Sequence, residues 1–352
     1  FRGFGIDQQQ VGATLQRAAS AWQLGGDSAL AKGQVNVADA AGEPMQVNLE
    51  YLSLPKAEGL KGVDAESRDP LASVDPRVLP AMDVQVARVL YGNELLGAWR
   101  FKARPQAQGS QFSDLQLELK GMLLNGSLSW NQEAEGTRTR YQGRLAGANL
   151  RDVLAAWGYA PTVSSERFRL DVAGDWPGSP AGLSLKRFSG TLDASLRKGA
   201  ISNVEGGAQA LRVFGLLNFN AIGRRLRLDF SDLFGKGLAY DRMKVRLEGP
   251  QGVFVTREPL RIEGPSTLVE LDGTLDMAKD QINAQLLVSL PVSNNLPLAA
   301  LIAGAPAIGG ALFVVDKLLG DRVARMASVK YHVNGPWQNP QISFLKPDQQ
   351  KP

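Results

Sequence analysis

The sequence predicts a mainly β chain, an antiparallel meander with a few short helices. Three observations predict it. Apolar residues recur at every second position in run after run, the mark of strands with one buried face. Gly 38 and Pro 19 fall as punctuation between those runs, which favours many strands and turns over long helices. At 44% apolar and 21% charged over 352 residues, the chain is long and greasy enough for two ordinary domains or one extended one.

The elements follow in order. Residues 1–55 read as an N-terminal β segment. Pro55 to Pro80 is rich in Gly, Asp, Ser, Lys and Pro, so 56–80 is a long surface loop or linker. Residues 81–292 form the main β region. Within it Leu115, Leu117 and Leu119 share one face against Gln116 and Glu118. Leu183 and Leu185, then Leu192 and Leu196, do so around a turn at Ser189-Gly190. Val245 and Leu247 precede the turn Gly249–Gly252, and Val253 and Val255 follow it. Val269, Leu271, Leu275 and Met277 alternate with acids, and Ile282, Ala284, Leu286, Val288 and Leu290 continue the pattern. Helical insertions are expected near 149–158, which ends at Gly158 with Pro161 beyond, and near 207–224, where Leu211, Phe214, Leu217 and Ile222 form a stripe. Val329, Tyr331 and Val333 belong to final strands over 328–346, and 347–352 is a tail.

Between these lies the most unusual stretch. From Gln281 to Val315 there is no Asp, Glu, Lys or Arg, where average usage gives about seven. Its first part alternates like a strand. Its second, Leu296 to Val315, is nearly all apolar but carries Pro297, Gly304, Pro306, Gly309 and Gly310. From Ala307, Ile308, Leu312, Val315, Leu319, Val323 and Met326 recur at helical steps, so 293–327 reads as an apolar helical tip. Three readings stand: a transmembrane span, which the prolines and glycines oppose; a buried core helix; or a broken helix pair that caps a groove or dips into a bilayer surface. Such a surface suits lipid or a partner better than an active site.

Function classes fall away on composition. Lys+Arg of 39 against Asp+Glu of 35 leaves a net charge of +4 with no long basic run, so nucleic acid is no partner. Absence of Cys removes disulfides, thiolate chemistry and Cys-ligated metal. The one histidine, His332, sits in an alternating run and reads as structural; zinc and a Ser-His-Asp triad have nothing else to use. Gly235-Lys236-Gly237 lacks the Ser or Thr of a phosphate loop. Asp229 and Asp232 are a carboxylate pair of the kind glycosidases use, but such pairs are usually solvated. No catalytic residue, metal or cofactor is expected. The chain begins at Phe1 without Met or leader, and is expected to be a processed product or a piece of a longer protein.

Two phrases repeat: Val172–Pro180 and Val333–Pro340 each end a strand with Gly, then Trp, then Pro. Together with Gly207–Asn220, Arg224–Asp241, Ser289–Val292, Asn295–Ala300, Val314–Leu319 and Ala156–Tyr159, the phrase Asp175–Pro180 resembles the AsmA-like family of large Gram-negative envelope proteins. The match covers roughly residues 140 to 345 and is looser before that, through Gln10–Leu24. The resemblance implies an elongated, curled antiparallel sheet forming a hydrophobic groove, in a periplasmic protein anchored in the inner membrane by a segment absent here. It implies non-enzymatic transfer of phospholipids between inner and outer membranes, with the outer membrane's inner leaflet or an outer-membrane protein as further partner. Physics agrees: a single sheet with one apolar face must fold over, gain a helix or bind acyl chains. If about 20 strands stack at about 4.8 Å, the sheet runs about 95 Å.

On that reading the lipid-binding groove is lined by Leu183, Leu185, Leu192, Leu196, Val245, Leu247, Val269, Leu271, Leu275, Ile282, Leu286, Val288 and Leu290. The membrane or partner tip is Leu298, Leu301, Ile302, Ile308, Leu312, Phe313 and Leu319. Headgroup contacts fall to Arg224, Arg225, Lys317, Arg322 and Arg325. The rival reading is a periplasmic scaffold for outer-membrane protein assembly, offering sheet edges for strand addition; a glycan enzyme comes third.

Overall fold

The computed structural model describes residues 2–3, 6–7, 11–54, 69–201, 238–265, 267–291, 312–319, 322–336 and 340–344. Strand dominates them, as the alternation predicts. Two compact units are formed. One comprises Phe1–Ala146 with Asp171–Gly190, the other Gly147–Leu170 with Thr191–Pro352.

In the first unit β1 (Arg2–Gly3) and β2 (Ile6–Asp7) make a short ladder. Then β3 (Val11–Arg17), β4 (Ala21–Ser28), β5 (Ala31–Ala38) and β6 (Met45–Leu54) pair antiparallel in chain order. After the crossover come β7 (Met82–Tyr91), β8 (Glu94–Gln106), β9 (Gly109–Leu119) and β10 (Met122–Glu133), again antiparallel neighbours. The β9–β10 turn is Lys120-Gly121. Both residues have positive φ, 48° and 88°, the backbone twist that suits a two-residue hairpin.

One junction departs from the meander: β6 and β7 are parallel, Met45 opposite Met82 and Leu54 opposite Tyr91. Parallel neighbours cannot be joined by a tight turn, so the chain needs a long return. The chain between β6 and β7 makes that return. Its described part carries a short 3-10 turn, Pro76–Val78, capped by the Asp75 carboxylate. Ser110 Oγ donates to the Pro76 carbonyl at 2.8 Å, seating the crossover on β9. The first residue of that described part, Asp69, is clasped as well. Ser179 donates from its N–H and its Oγ to the Asp69 carboxylate, at 2.6 and 2.5 Å. A Cβ at Gly178 (φ +103°) would come within 2.7 Å of that carboxylate, so the Gly-Ser-Pro phrase is what makes room for it.

The chain continues through β11 (Gly136–Ala148), α1 (Leu150–Ala156), β12 (Val163–Pro177) and β13 (Ser189–Ile201). Helix α1 lies where Asn149–Gly158 predicts it, with Leu150, Val153 and Leu154 buried in the second unit. There follow β14 (Leu238–Gly249), β15 (Val253–Glu263), β16 (Leu268–Asp276) and β17 (Gln281–Pro291), each antiparallel to the last. Then β17 pairs with β19 (Arg322–Pro336), whose other side holds β18 (Leu312–Leu319) and β20 (Gln341–Phe344).

Three expectations are corrected. The part of the C-terminal helical tip that the structure describes is a hairpin: β18 and the start of β19 are strands, Leu312 opposite Val329 and Leu319 opposite Arg322. Phe313-Val314-Val315 are strand formers, and pairing along β19 overrides a helical spacing that is ambiguous in a short apolar run. Leu183 and Leu185 are not on a strand. Pro180–Gly182 forms a 3-10 turn, and β13 starts only at Ser189, so Ser189-Gly190 is strand and not turn. On β15 the inward residue is Phe254, while Val253 and Val255 are exposed. The expected helix at 207–224 and residues 293–311 lie outside the described residues.

Candidate functional site

The site is a pair of apolar ladders, one in each unit, built by the pleat. Side chains at alternate positions point to one face, so residues in register across strands line up in rows. In the first unit one row runs Leu15, Leu24, Val35, Val47, Val84, Phe101, each directly opposite the next. The next row runs Leu49, Val86, Trp99, Leu117, Leu124. These rows are graded in exposure. Leu15 is 64% exposed and Leu24 45%; Val35 and Val47 are half-buried; Val84 is 7% exposed. At the closed end Val84, Val86, Val89 and Leu96 form a core against which Val47, Leu49, Trp99 and Phe101 pack. At the open end Trp22 and Val37 join Leu15 and Leu24 as exposed apolar residues. The Arg17 guanidinium lies 5.0 Å above the Trp22 ring and is gripped by both oxygens of Asp39, at 2.5 and 2.6 Å. Those hydrogen bonds hold the Asp39 carboxyl below the usual carboxylate range.

In the second unit the rows run Met243, Ile262, Val269, Val288; Leu260, Leu271, Leu286, Tyr331; and Phe254, Leu275, Ile282. Here the ladder is shut. Val269, Leu271, Leu275, Ile282 and Leu286 are all buried, Leu286 at 3% exposure. Burial pushes the Tyr331 hydroxyl far above its ordinary pKa, so it stays neutral. Beside these rows Ser289 and Ser328, both buried, share a 2.7 Å hydrogen bond.

The opposite face of the first unit carries paired charges. Arg104 meets Asp83 at 2.6 Å and Lys102 meets Asp114 at 2.7 Å. Burial resists ionisation of Asp83, but hydrogen bonds from Arg104 and Gln46 outweigh it and hold the carboxyl below its ordinary value. Among the described residues no three His, Cys, Asp or Glu side chains are grouped to hold a metal, and no helix is long and apolar enough to cross a membrane. His332 sits on β19 opposite Gln285 and Ser343. A face of this kind can shelter hydrocarbon.

Of the residues singled out from sequence, Val269, Leu271, Leu275, Ile282 and Leu286 are brought together as the buried ladder, with Val288 half-buried at its end. Leu192, Leu196, Val245 and Leu247 are half-buried, and the deeper positions on β14 are Leu238, Tyr240 and Met243. Leu183 and Leu185 are exposed and join neither ladder. Leu290 is on β17; Leu312, Phe313, Lys317 and Leu319 are on β18; Arg322 and Arg325 are on β19. Arg224, Arg225, Leu298, Leu301, Ile302 and Ile308 lie outside the described residues. The exposed ladder of the first unit was not among the candidates. Its signal was present in Met45–Leu54, where Met, Val and Leu alternate with Gln, Asn and Glu.

The family model described as YhdP protein matches residues 2–342. The chain is also similar to the Escherichia coli (strain K12) protein named "Intermembrane phospholipid transporter YhdP", 27% identical over 214 residues. That match covers 61% of this chain and 17% of the relative, so the matched part is a small section of a far longer protein. No solved structure matches.

Proposed function

The chain belongs to the YhdP family, and on that premise we propose that it is a section of a non-enzymatic conduit for phospholipids between the inner and outer membranes of a Gram-negative envelope. It works in the periplasm, with the full-length protein held in the inner membrane by a segment outside this chain. The relative's name supports phospholipid as cargo; the observation that carries the reading here is the graded apolar row from Leu15 to Val84.

The mechanism is differential wetting. An acyl chain laid over Leu15, Trp22, Leu24 and Val37 removes apolar surface of both partners from water, at about 0.8 kcal/mol per CH₂ sheltered. The headgroup stays in water at the open edge. Over β3, β4 and β5, where the row is open, similar side chains repeat about 4.8 Å apart, so steps along that part are of similar depth, and the row closes only at Val84. Sliding needs that uniformity, because a single tight site would arrest the lipid. The buried ladder of the second unit, with Leu286 at its centre, takes acyl chains only when that unit opens; the first unit's ladder is where contact begins.

Native mass spectrometry of the purified chain, with lipid extraction of the same sample, tests the reading. Several phospholipids per chain are expected. A fully folded chain that carries none, and takes none from vesicles, overturns the conduit and favours the scaffold for outer-membrane proteins instead.

A further inference from the structure

On the charged side of the second unit, β12, β13 and β14 and the β15–β16 turn enclose a hollow of 540 Å³. Arg167, Arg197 and Arg242 line it, one from each strand, with Lys198 beside them. The first two are held close by a buried serine. Ser165 Oγ donates to the carbonyl of Arg167 at 2.7 Å or of Arg197 at 2.8 Å, and accepts from the Arg197 N–H at 3.0 Å.

The charges there do not balance. Elsewhere in the unit three guanidinium groups are matched: Arg246 to Asp193 at 2.6 Å, Arg257 to Glu248 at 2.7 Å, Arg261 to Glu263 at 2.9 Å. In the hollow Glu166 stands 4.0 Å from Lys198, and Glu263 is already engaged by Arg261. Among the described residues no carboxylate lies within ion-pair range of Arg167, Arg197 or Arg242, and only Asp241 remains to offset them. Strand pairing brings these three exposed side chains to the rim of one hollow, where an anion offsets their like charge. A guanidinium offers a planar fork of N–H donors that fits two phosphate oxygens at once, and three such forks suit a tetrahedral anion better than a planar carboxylate.

We propose that this hollow binds a phosphate group, either the phosphodiester of a lipid headgroup or a free phosphate. The inference does not rest on the acyl-chain reading: a hollow that takes inorganic phosphate stands even if the apolar ladders carry no lipid. It is also distinct from the arginines that sequence alone singled out.

The full chain is titrated with inorganic phosphate by calorimetry at low ionic strength, and floated with phosphatidylcholine vesicles with and without phosphatidylglycerol. The same is done for the triple variant Arg167→Gln, Arg197→Gln, Arg242→Gln and for the control Arg257→Gln. Wild type and control are expected to bind phosphate with an affinity that falls as salt rises, and the triple variant at least tenfold more weakly. Should the triple variant fail to fold, each single variant is expected to weaken binding several-fold. If phosphatidylglycerol strengthens flotation in wild type but not in the triple variant, the source is the lipid headgroup. If flotation is equal while phosphate affinity differs, it is the free anion. Equal phosphate binding and equal flotation in wild type and triple variant, or no phosphate binding and no phosphatidylglycerol effect in wild type, overturn the proposal.

Discussion

Leu24→Asp separates the lipid-contact reading from a merely structural one. Full burial of a leucine side chain contributes about 1.5–3 kcal/mol. Leu24 is 45% exposed, so an acyl chain covering it recovers a little under half of that, about 1 kcal/mol. Aspartate forfeits this gain and sets a carboxylate against hydrocarbon, for which unpaired polar groups cost about 1–3 kcal/mol. The total, about 2–4 kcal/mol, is a loss of tens to hundreds of fold in affinity. Folding suffers less: the position is exposed and the strand-propensity scale spans only about 1 kcal/mol. The assay is quenching of Trp22 by phospholipids with brominated acyl chains. Trp22 lies two residues along the same face of β4, and a Trp22→Phe chain supplies the background from the other tryptophans. Wild type is expected to quench in proportion to lipid, and Leu24→Asp to lose most of that signal with its melting temperature nearly unchanged. Undiminished quenching in a folded Leu24→Asp chain refutes the reasoning, because acyl chains then lie somewhere other than over the ladder.

Leu286→Asp behaves differently: at 3% exposure between Leu271 and Tyr331 it buries an unpaired charge, and a stability loss of at least about 4 kcal/mol is expected in urea titration. A wild-type urea midpoint in that variant shows that the second ladder is open in solution. The Asp83 carboxyl is held below 3.8, so as pH falls the unfolded chain takes the proton first; its contribution is whole above the ordinary pKa and fades as pH drops through the lowered folded value. Asp83→Asn is therefore expected to be less stable than wild type at pH 7, with the gap closing below about pH 4; a gap constant across that range contradicts it. Asp69→Ala strips the buried Ser179 of its acceptor, at a cost of about 1–3 kcal/mol, and is expected to speed tryptic cleavage at Arg77. Unchanged cleavage means the clasp does not hold the crossover.

Much of the fold was legible because an antiparallel strand with one wet face advertises itself. Gln281–Leu286 reads correctly down to the residues that are buried, since Ile282, Ala284 and Leu286 have no apolar competitor on the other face until Leu287; beyond it Val288 is half-buried while Ser289, of the opposite parity, is buried. Leu312–Leu319 was not legible for the opposite reason. With Leu312, Phe313, Val314 and Val315 all apolar, a period of two and one of 3.6 fit equally, and only the partner strand decides. Neighbour order is invisible as well: nothing local in Met45–Leu54 or Met82–Tyr91 announces that they lie side by side and parallel. The exposed ladder escaped because its first strands are diluted by Gly25, Gly26 and Gly33, so their apolar count is low although their spacing is right. The hollow of arginines could not be found at all, because Arg167, Arg197 and Arg242 are far apart in sequence and meet only through pairing.

The two faces of the first unit solve a problem that one face alone cannot. Register in a sheet is normally fixed by packing the apolar face, since a slip of one residue turns every inward side chain outward. Over β3, β4 and β5 that face is partly exposed and packs against little, so it exerts weak control. The charged face carries the control instead. Lys32 reaches Asp27 at 3.7 Å and Glu50 at 3.5 Å, bridging β4, β5 and β6. Gly33 adds a steric key: any Cβ there would stand 2.3 Å from the Asn48 carbonyl, so only glycine fits this register. Each ion pair is worth little in stability, but a slipped register loses them all together and drives backbone into backbone at Gly33. A sheet held in line from its polar side is free to leave its apolar side unpacked, which is the condition a surface must meet if acyl chains are to move over it.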